Sequence, residues 1–153
     1  MQSRCENEAG LTLVEVMMAL LILLLVFTGL FQTALLSIDH NMRNILRDEA
    51  VKVAAMQMQQ EENQPFAALV SSASSIPAGS DCPGSITTGQ VIQRNFRNMS
   101  KDFCLSEVCV DLDGDGDCAS DDAASNTKQL TVTVGWRWKG EDFTHTVRTL
   151  RRR

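Results

Sequence analysis

GLTLVEVMMALLILLLVFTGLFQTALL, residues 10–36, holds one charged side chain, Glu15, and no ionisable group lies from Val16 to Ile38. As a helix, that run is long enough to cross the ~30 Å hydrocarbon core of a bilayer. The acid at its leading edge is the anomaly. An unpaired carboxylate inside a span costs on the order of 2.5–3.5 kcal/mol, so Glu15 either takes a partner or snorkels to the headgroups.

Residues 1–10, MQSRCENEAG, are polar and end in a glycine that abuts the apolar run. A secretory signal peptide would carry its small-residue cleavage site behind the run, and none follows Leu36 before the polar segment Asp39 to Asn44. The natural cut therefore lies in front. Gly10-Leu11-Thr12-Leu13-Val14-Glu15, followed by about twenty apolar residues, resembles the class III leader junction of type IV pilins and pseudopilins. The resemblance implies that a prepilin peptidase cuts after Gly10 and methylates the new amine of Leu11. Glu15 is then the fifth mature residue, the position through which that family pairs a carboxylate with the N-terminal cation of a neighbouring subunit. A matched pair is tolerable where a lone buried charge is not, so such pairing can set the axial register of a filament. Glycine at the cut also suits a close backbone approach by the peptidase.

Two departures from the family pattern stand out. The first mature residue is Leu11 where Phe is usual, and the span carries Gly29 but no proline. The second argues against a major, filament-forming pilin and for a minor one. The resemblance further implies other pilin or minor pilin subunits and an inner-membrane assembly platform as partners. It implies a single-pass position in the bacterial inner membrane with the head in the periplasm, then incorporation into a pilus or pseudopilus.

The expected organisation is a leader at 1–10, a transmembrane or filament-core helix at 11–38, and an amphipathic helix with a globular pilin head at 39–153. Cleavage would leave 143 of the 153 residues (153 minus the ten of the leader), and one small domain fits outside the helix. The precursor is net -5; Arg4 against Glu6 and Glu8 makes the leader -1, so the mature chain is -4. No basic surface for nucleic acid emerges from that balance. From Ile38 onward the expected inward stripe runs through Ile38, Met42, Ile45, Leu46, Glu49, Ala50, Val53, Met56 and Gln60. The spacing predicts one helix from Leu11 to about Glu62, ~78 Å at 1.5 Å per residue, stopped by Pro65.

The remaining half reads as sheet, giving an α+β fold in which the long helix packs on a small antiparallel sheet. Residues 66–90 are linker-like, and 90–98 and 103–110 read as short strands. Leu130, Val132, Val134, Trp136 and Trp138 alternate with polar residues; a turn at Lys139 to Asp142 leads to a second alternating run from Phe143. A VTVGWRW strand in a terminal hairpin is similar to the minor pilins called type IV pilus modification proteins, the PilV-like group.

With Cys5 in the leader, Cys82, Cys104, Cys109 and Cys118 remain, an even set that reads as two disulfides outside the cytoplasm. Three pairings are open, and nearness in sequence favours Cys82 with Cys104 and Cys109 with Cys118. Zinc is the competing reading, but the C-x4-C and C-x8-C spacings are not those of common zinc sites.

VDLDGDGDCASDD is the one stretch with ligand chemistry. Asp111, Asp113, Asp115, Gly116 and Asp122 fall at positions one, three, five, six and twelve of an EF-type calcium loop, and Asp117 offers its carbonyl at seven. Position nine is Ala119, where water would have to serve, and no helix precedes the loop. Calcium is the cofactor expected if the loop is more than a solvated acidic turn. A calcium-dependent adhesion or DNA-binding module at a pilus tip is the alternative function this loop raises. The arginine tail, Arg148, Arg151, Arg152 and Arg153, reads as a solvated end rather than a phosphate-binding patch. No G-x-S-x-G elbow or acid–base constellation is present, and His40 and His145 lack partners in sequence, so an enzyme is not expected.

Overall fold

The computed structural model describes residues 12–96, 99–113, 118 and 126–153. One helix, α1 (Leu13–Glu62), is followed by a 3-10 turn (Phe66–Ala68) and four strands: β1 (Gln90–Phe96), β2 (Met99–Asp111), β3 (Thr127–Trp138) and β4 (Glu141–Arg152). The strands form an antiparallel meander in the order β1-β2-β3-β4. The architecture is thus α+β, a long N-terminal apolar helix with a four-stranded antiparallel sheet. Two compact units divide it, Met1–Met42 and Arg43–Arg153.

In the first unit every large apolar side chain from Leu13 to Ile38 is exposed, none below 44 %. Thr28 and Thr33 donate their hydroxyls to the carbonyls of Leu24 (2.7 Å) and Leu30 (2.8 Å), so these two polar groups are satisfied within the helix itself. Among the described residues this is the one helix long and apolar enough to cross a membrane.

In the second unit α1 buries Leu46, Ala50, Val53, Ala54, Gln57, Met58 and Glu61. The expected stripe is corrected here: Met56 is 53 % exposed, and Ile38 and Gln60 are exposed. The buried positions follow a 3.6-residue period from Leu46, and Met56 and Gln60 each precede a buried residue by one step, about 100° around the axis. Polar Gln57 and Glu61 occupy the places that an apolar count would pass over.

The facing sheet surface carries Leu130, Val132, Val134 and Trp136 of β3 with Phe103 and Leu105 of β2, all 4 % exposed or less. An aromatic row crosses all four strands: Phe96 to Phe103 and Phe103 to Trp136 at 6.2 Å, then Trp136 stacked on Phe143 at 5.7 Å. Such cross-strand pairs stabilise a sheet beyond their area. The β3–β4 connection is tighter than the expected four-residue turn. Lys139 and Gly140 alone form it, at φ 50° and 82°, as a two-residue turn requires, so Glu141 and Asp142 already belong to β4.

The supposed linker is packed structure. Leu69 is fully buried, and Pro83 and Ile86 lie over Gly135, where a Cβ would come within 2.5 Å of Ile86 Cδ1. Beyond the Gln90–Leu105 pair, where β1 has not yet begun, Ser72 N–H donates to the Glu107 carbonyl (2.9 Å) and Cys109 N–H donates to Ser71 Oγ (3.0 Å), covering the open edge of β2. Serine and glycine content reads as a loop, but short hydroxyls are also what a sheet edge needs. Likewise β1 ends at Phe96 and β2 begins at Met99, earlier than the expected start at 103.

Beneath α1 two acids meet. Glu61 Oε1 accepts from Gln57 (3.4 Å) and Gln64 (3.0 Å), while Glu107 Oε2 accepts from Ser72 (3.4 Å) and its buried Oε1 has no hydrogen-bond partner among the described residues. Burial, then the Glu61 charge, raises the Glu107 carboxyl above its usual range. The folded state therefore holds this proton more tightly than the unfolded chain, and stability falls as pH rises from the unfolded value through the raised one. Glu107→Gln is expected to melt higher at pH 7 and to lose part of this decline; equal pH profiles for both proteins would show the pair to be silent.

Candidate functional site

Gly10 and Leu11, the expected cleavage and methylation residues, lie outside the described residues. Glu15 is exposed in the first turn of α1. Its N–H donates to Thr12 Oγ1 at 3.3 Å, so Thr-x-x-Glu acts as a helix N-cap. The carboxylate sits where the positive end of the helix dipole favours it. The cap was legible in the sequence as T-L-V-E, residues 12–15, but the leader pattern overlaps it and drew the reading of Glu15 toward a subunit contact or the headgroups.

Cys82 is bonded to Cys104, and Cys109 to Cys118. Cys104 pairs in register with Gly135 and Cys109 with Leu130, five residues apart on β2, so the bridges leave the sheet on opposite faces. The first fastens the Pro83–Ile86 segment over Gly135. The second ties Cys118 to the surface that faces α1. Asp81 reinforces the first segment by pairing with Lys101 and lying 3.8 Å from Arg137, whose guanidinium also holds the Asp142 carboxyl below its usual range.

Of the acidic loop, Asp111 and Asp113 are described; Asp115, Asp117 and Asp122 lie outside the described residues. Asp111 closes β2, 3 % exposed, and its Oδ1 accepts the N–H of Asp113 at 3.0 Å. Among the described residues no group of three or more His, Cys, Asp or Glu is arranged to hold a metal ion.

The reading of the arginine tail as a solvated end holds for the exposed Arg148, Arg152 and Arg153 and is corrected at Arg151. Arg148, Arg151 and Arg152 belong to β4, and Arg151 donates to the carbonyls of Glu62 and Gln64, the latter at 3.4 Å. A cation on the last carbonyls of α1 is a C-terminal cap supplied by the far end of the chain. Lys128, on the inward face of β3 and 3 % exposed, was equally hidden from sequence reasoning. Its ammonium donates to the Phe66 (3.3 Å) and Leu69 (3.4 Å) carbonyls and stands 5.0 Å from the Phe66 ring, fixing the turn that follows the helix. Its place in the alternation K-x-L-x-V-x-V was the available signal.

Residues 6–31 match the family model described as the prokaryotic N-terminal methylation motif. No curated protein and no solved structure matches the chain. The matched stretch holds the Gly10–Leu11 junction, Glu15 and the exposed apolar part of α1 as far as Phe31, and the same chain goes on to an antiparallel sheet with two disulfides. This chain carries the N-terminal signature of a type IV pilin-like prepilin.

Proposed function

We propose that the protein is a minor type IV pilin, a structural subunit that primes or caps pilus assembly after leader cleavage and N-methylation. One observation carries the reading: the methylation motif runs without interruption into an exposed apolar helix with an acid in its first turn. A surface of that extent is stable only when lipid or other subunits cover it. No proline interrupts residues 13–62, which favours a minor over a shaft-forming subunit. The subunit waits in the inner membrane with its sheet-bearing unit outside and is then drawn into the filament. The related pseudopilins of type II secretion share this chemistry.

Deleting the gene and scoring surface pili and secreted proteins in one strain separates the two. Loss of pili with secretion intact is expected; loss of secretion alone would make the protein a pseudopilin. Glu15→Val is expected to be cleaved normally and, at a tip position with no subunit ahead of it, to remain in pili at undiminished low copy. Exclusion of that variant from sheared pili would put the subunit within the shaft and overturn the capping role.

A further inference from the structure

A cavity of about 360 Å³ opens within the sheet-bearing unit between α1 and β4. Arg43, Asn44 and Arg47 line it from the helix, and Trp136, Phe143 and His145 from the sheet. Trp136, 4 % exposed, stacks with the Phe143 ring at 15° from parallel, and the Arg43 guanidinium stands over that ring, 5.6 Å from its centroid. Glu141, 58 % exposed at its side chain, meets Arg43 at 3.0 Å. That exposed pair orients the guanidinium and is weak in water. Arg47 lies one turn further along, exposed, and among the described residues no ion pair engages it. Two guanidiniums one turn apart at the mouth of a cavity suit the oxygens of a phosphate ester.

Covalent geometry says where such an ester comes from. Arg43 follows Ile38, the end of the uncharged run, by five residues, which span at most about 18 Å in any conformation. Whatever bilayer takes residues 13–38 therefore keeps Arg43 no more than about 18 Å from the end of that run, inside or close outside a headgroup layer roughly 5–8 Å deep. A soluble phosphate compound would have no need of that tether.

We propose that this cavity binds the phosphate headgroup of an anionic phosphoglyceride while the subunit waits in the membrane. The inference rests on the membrane-anchored reading of the apolar helix. Bound lipid fixes the sheet-bearing unit at the membrane surface, and extraction into a filament exchanges the lipid for water or a neighbouring subunit.

The test uses the full chain in nanodiscs of constant anionic content, in a Trp138→Phe background so that Trp136 alone reports. Trace phosphatidylglycerol spin-labelled at the headgroup is expected to quench Trp136 about fivefold more than equally labelled phosphatidylcholine. Arg47→Ala is expected to remove that preference, and Asp48→Ala, next to it on the exposed surface, to keep it. Equal quenching by the two lipids overturns the proposal. Loss of the preference in millimolar inorganic phosphate reassigns the cavity to a free anion, and preference seen only with two chains per disc reassigns it to a subunit contact. Failure of the chain to enter discs at all instead refutes the membrane anchor.

Discussion

Gly10→Val is expected to abolish maturation, so that the protein accumulates at precursor mass with its ten-residue leader attached. On the leader reading, the bond to be cut joins Gly10 to Leu11, and both residues lie inside the matched methylation motif. A peptidase acting there must bring its catalytic groups against the backbone, and a branched side chain on the acyl side of the bond blocks that approach. Gly10→Ala adds one methyl group and is expected to slow processing without stopping it. Intact-mass measurement on the membrane fraction distinguishes the three proteins, since cleavage and methylation both change the mass. The sheet-bearing unit begins more than thirty residues later, at Arg43, so misfolding would not explain an uncut variant. A mature-mass product from Gly10→Val would remove the leader assignment, and with it the reading of Leu11 as a methylated terminus.

The largest stability effect is expected at Gly89. This residue sits at φ 130°, its N–H donates to the Ser74 carbonyl at 2.6 Å, and an added Cβ would fall 1.8 Å from the Leu105 carbonyl oxygen. The obstructing atom belongs to the backbone of β2 and cannot swing aside. Alanine must therefore either strip the segment before β1 from the sheet or part β1 from β2 at the Gln90–Leu105 pair. Backbone strain and lost pairing together are expected to cost about 3–4 kcal/mol, lowering the melting temperature by roughly 12–25 °C. Gly79 supplies the control. It too has positive φ, 91°, but nothing lies within 4 Å of its added Cβ. Gly79→Ala should therefore cost only conformational strain, about 1 kcal/mol. Equal melting of the two variants, followed by Trp fluorescence of the detergent-solubilised chain, would show that the close approach at Gly89 does not matter.

Gly89 also illustrates what a linear reading misses. Nothing in PGSITTGQ distinguishes a glycine pressed against a strand from one in an open turn, because the obstructing carbonyl is sixteen residues away. The elements legible beforehand were those whose signal is local: the apolar run of α1, the alternation in β3, and the proline beyond the end of the helix. The inward face of α1 was misjudged because Gln57 and Glu61 are polar residues that bond to each other, with Gln64 also on Glu61, and an apolar count passes over buried positions satisfied in that way. The segment 66–90 was misjudged because serine hydroxyls serve a sheet edge as well as a loop. Arg151 shows the limit most plainly, since its role at Glu62 depends on β4 running back along the sheet for its full length. At the leader junction the balance is reversed. The six consecutive residues of that junction form a local pattern, and they lie inside the stretch that matches the methylation motif.

The meander has a consequence for how the cysteines find each other. Every strand in it pairs with its neighbour in sequence, so the sheet closes through three successive hairpins, each a local event with a small loop-closure cost. Cys104 and Cys109 are both carried on β2, which the other strands flank on either side. Once β2 is paired, its alternating faces hold the two thiols apart on opposite surfaces, each near a different partner segment. A bond between Cys104 and Cys109 is then excluded by geometry, and each thiol is directed to the loop on its own side. Oxidation would follow folding rather than guide it, and an export pathway with a slow disulfide oxidant could still deliver a single correctly linked subunit.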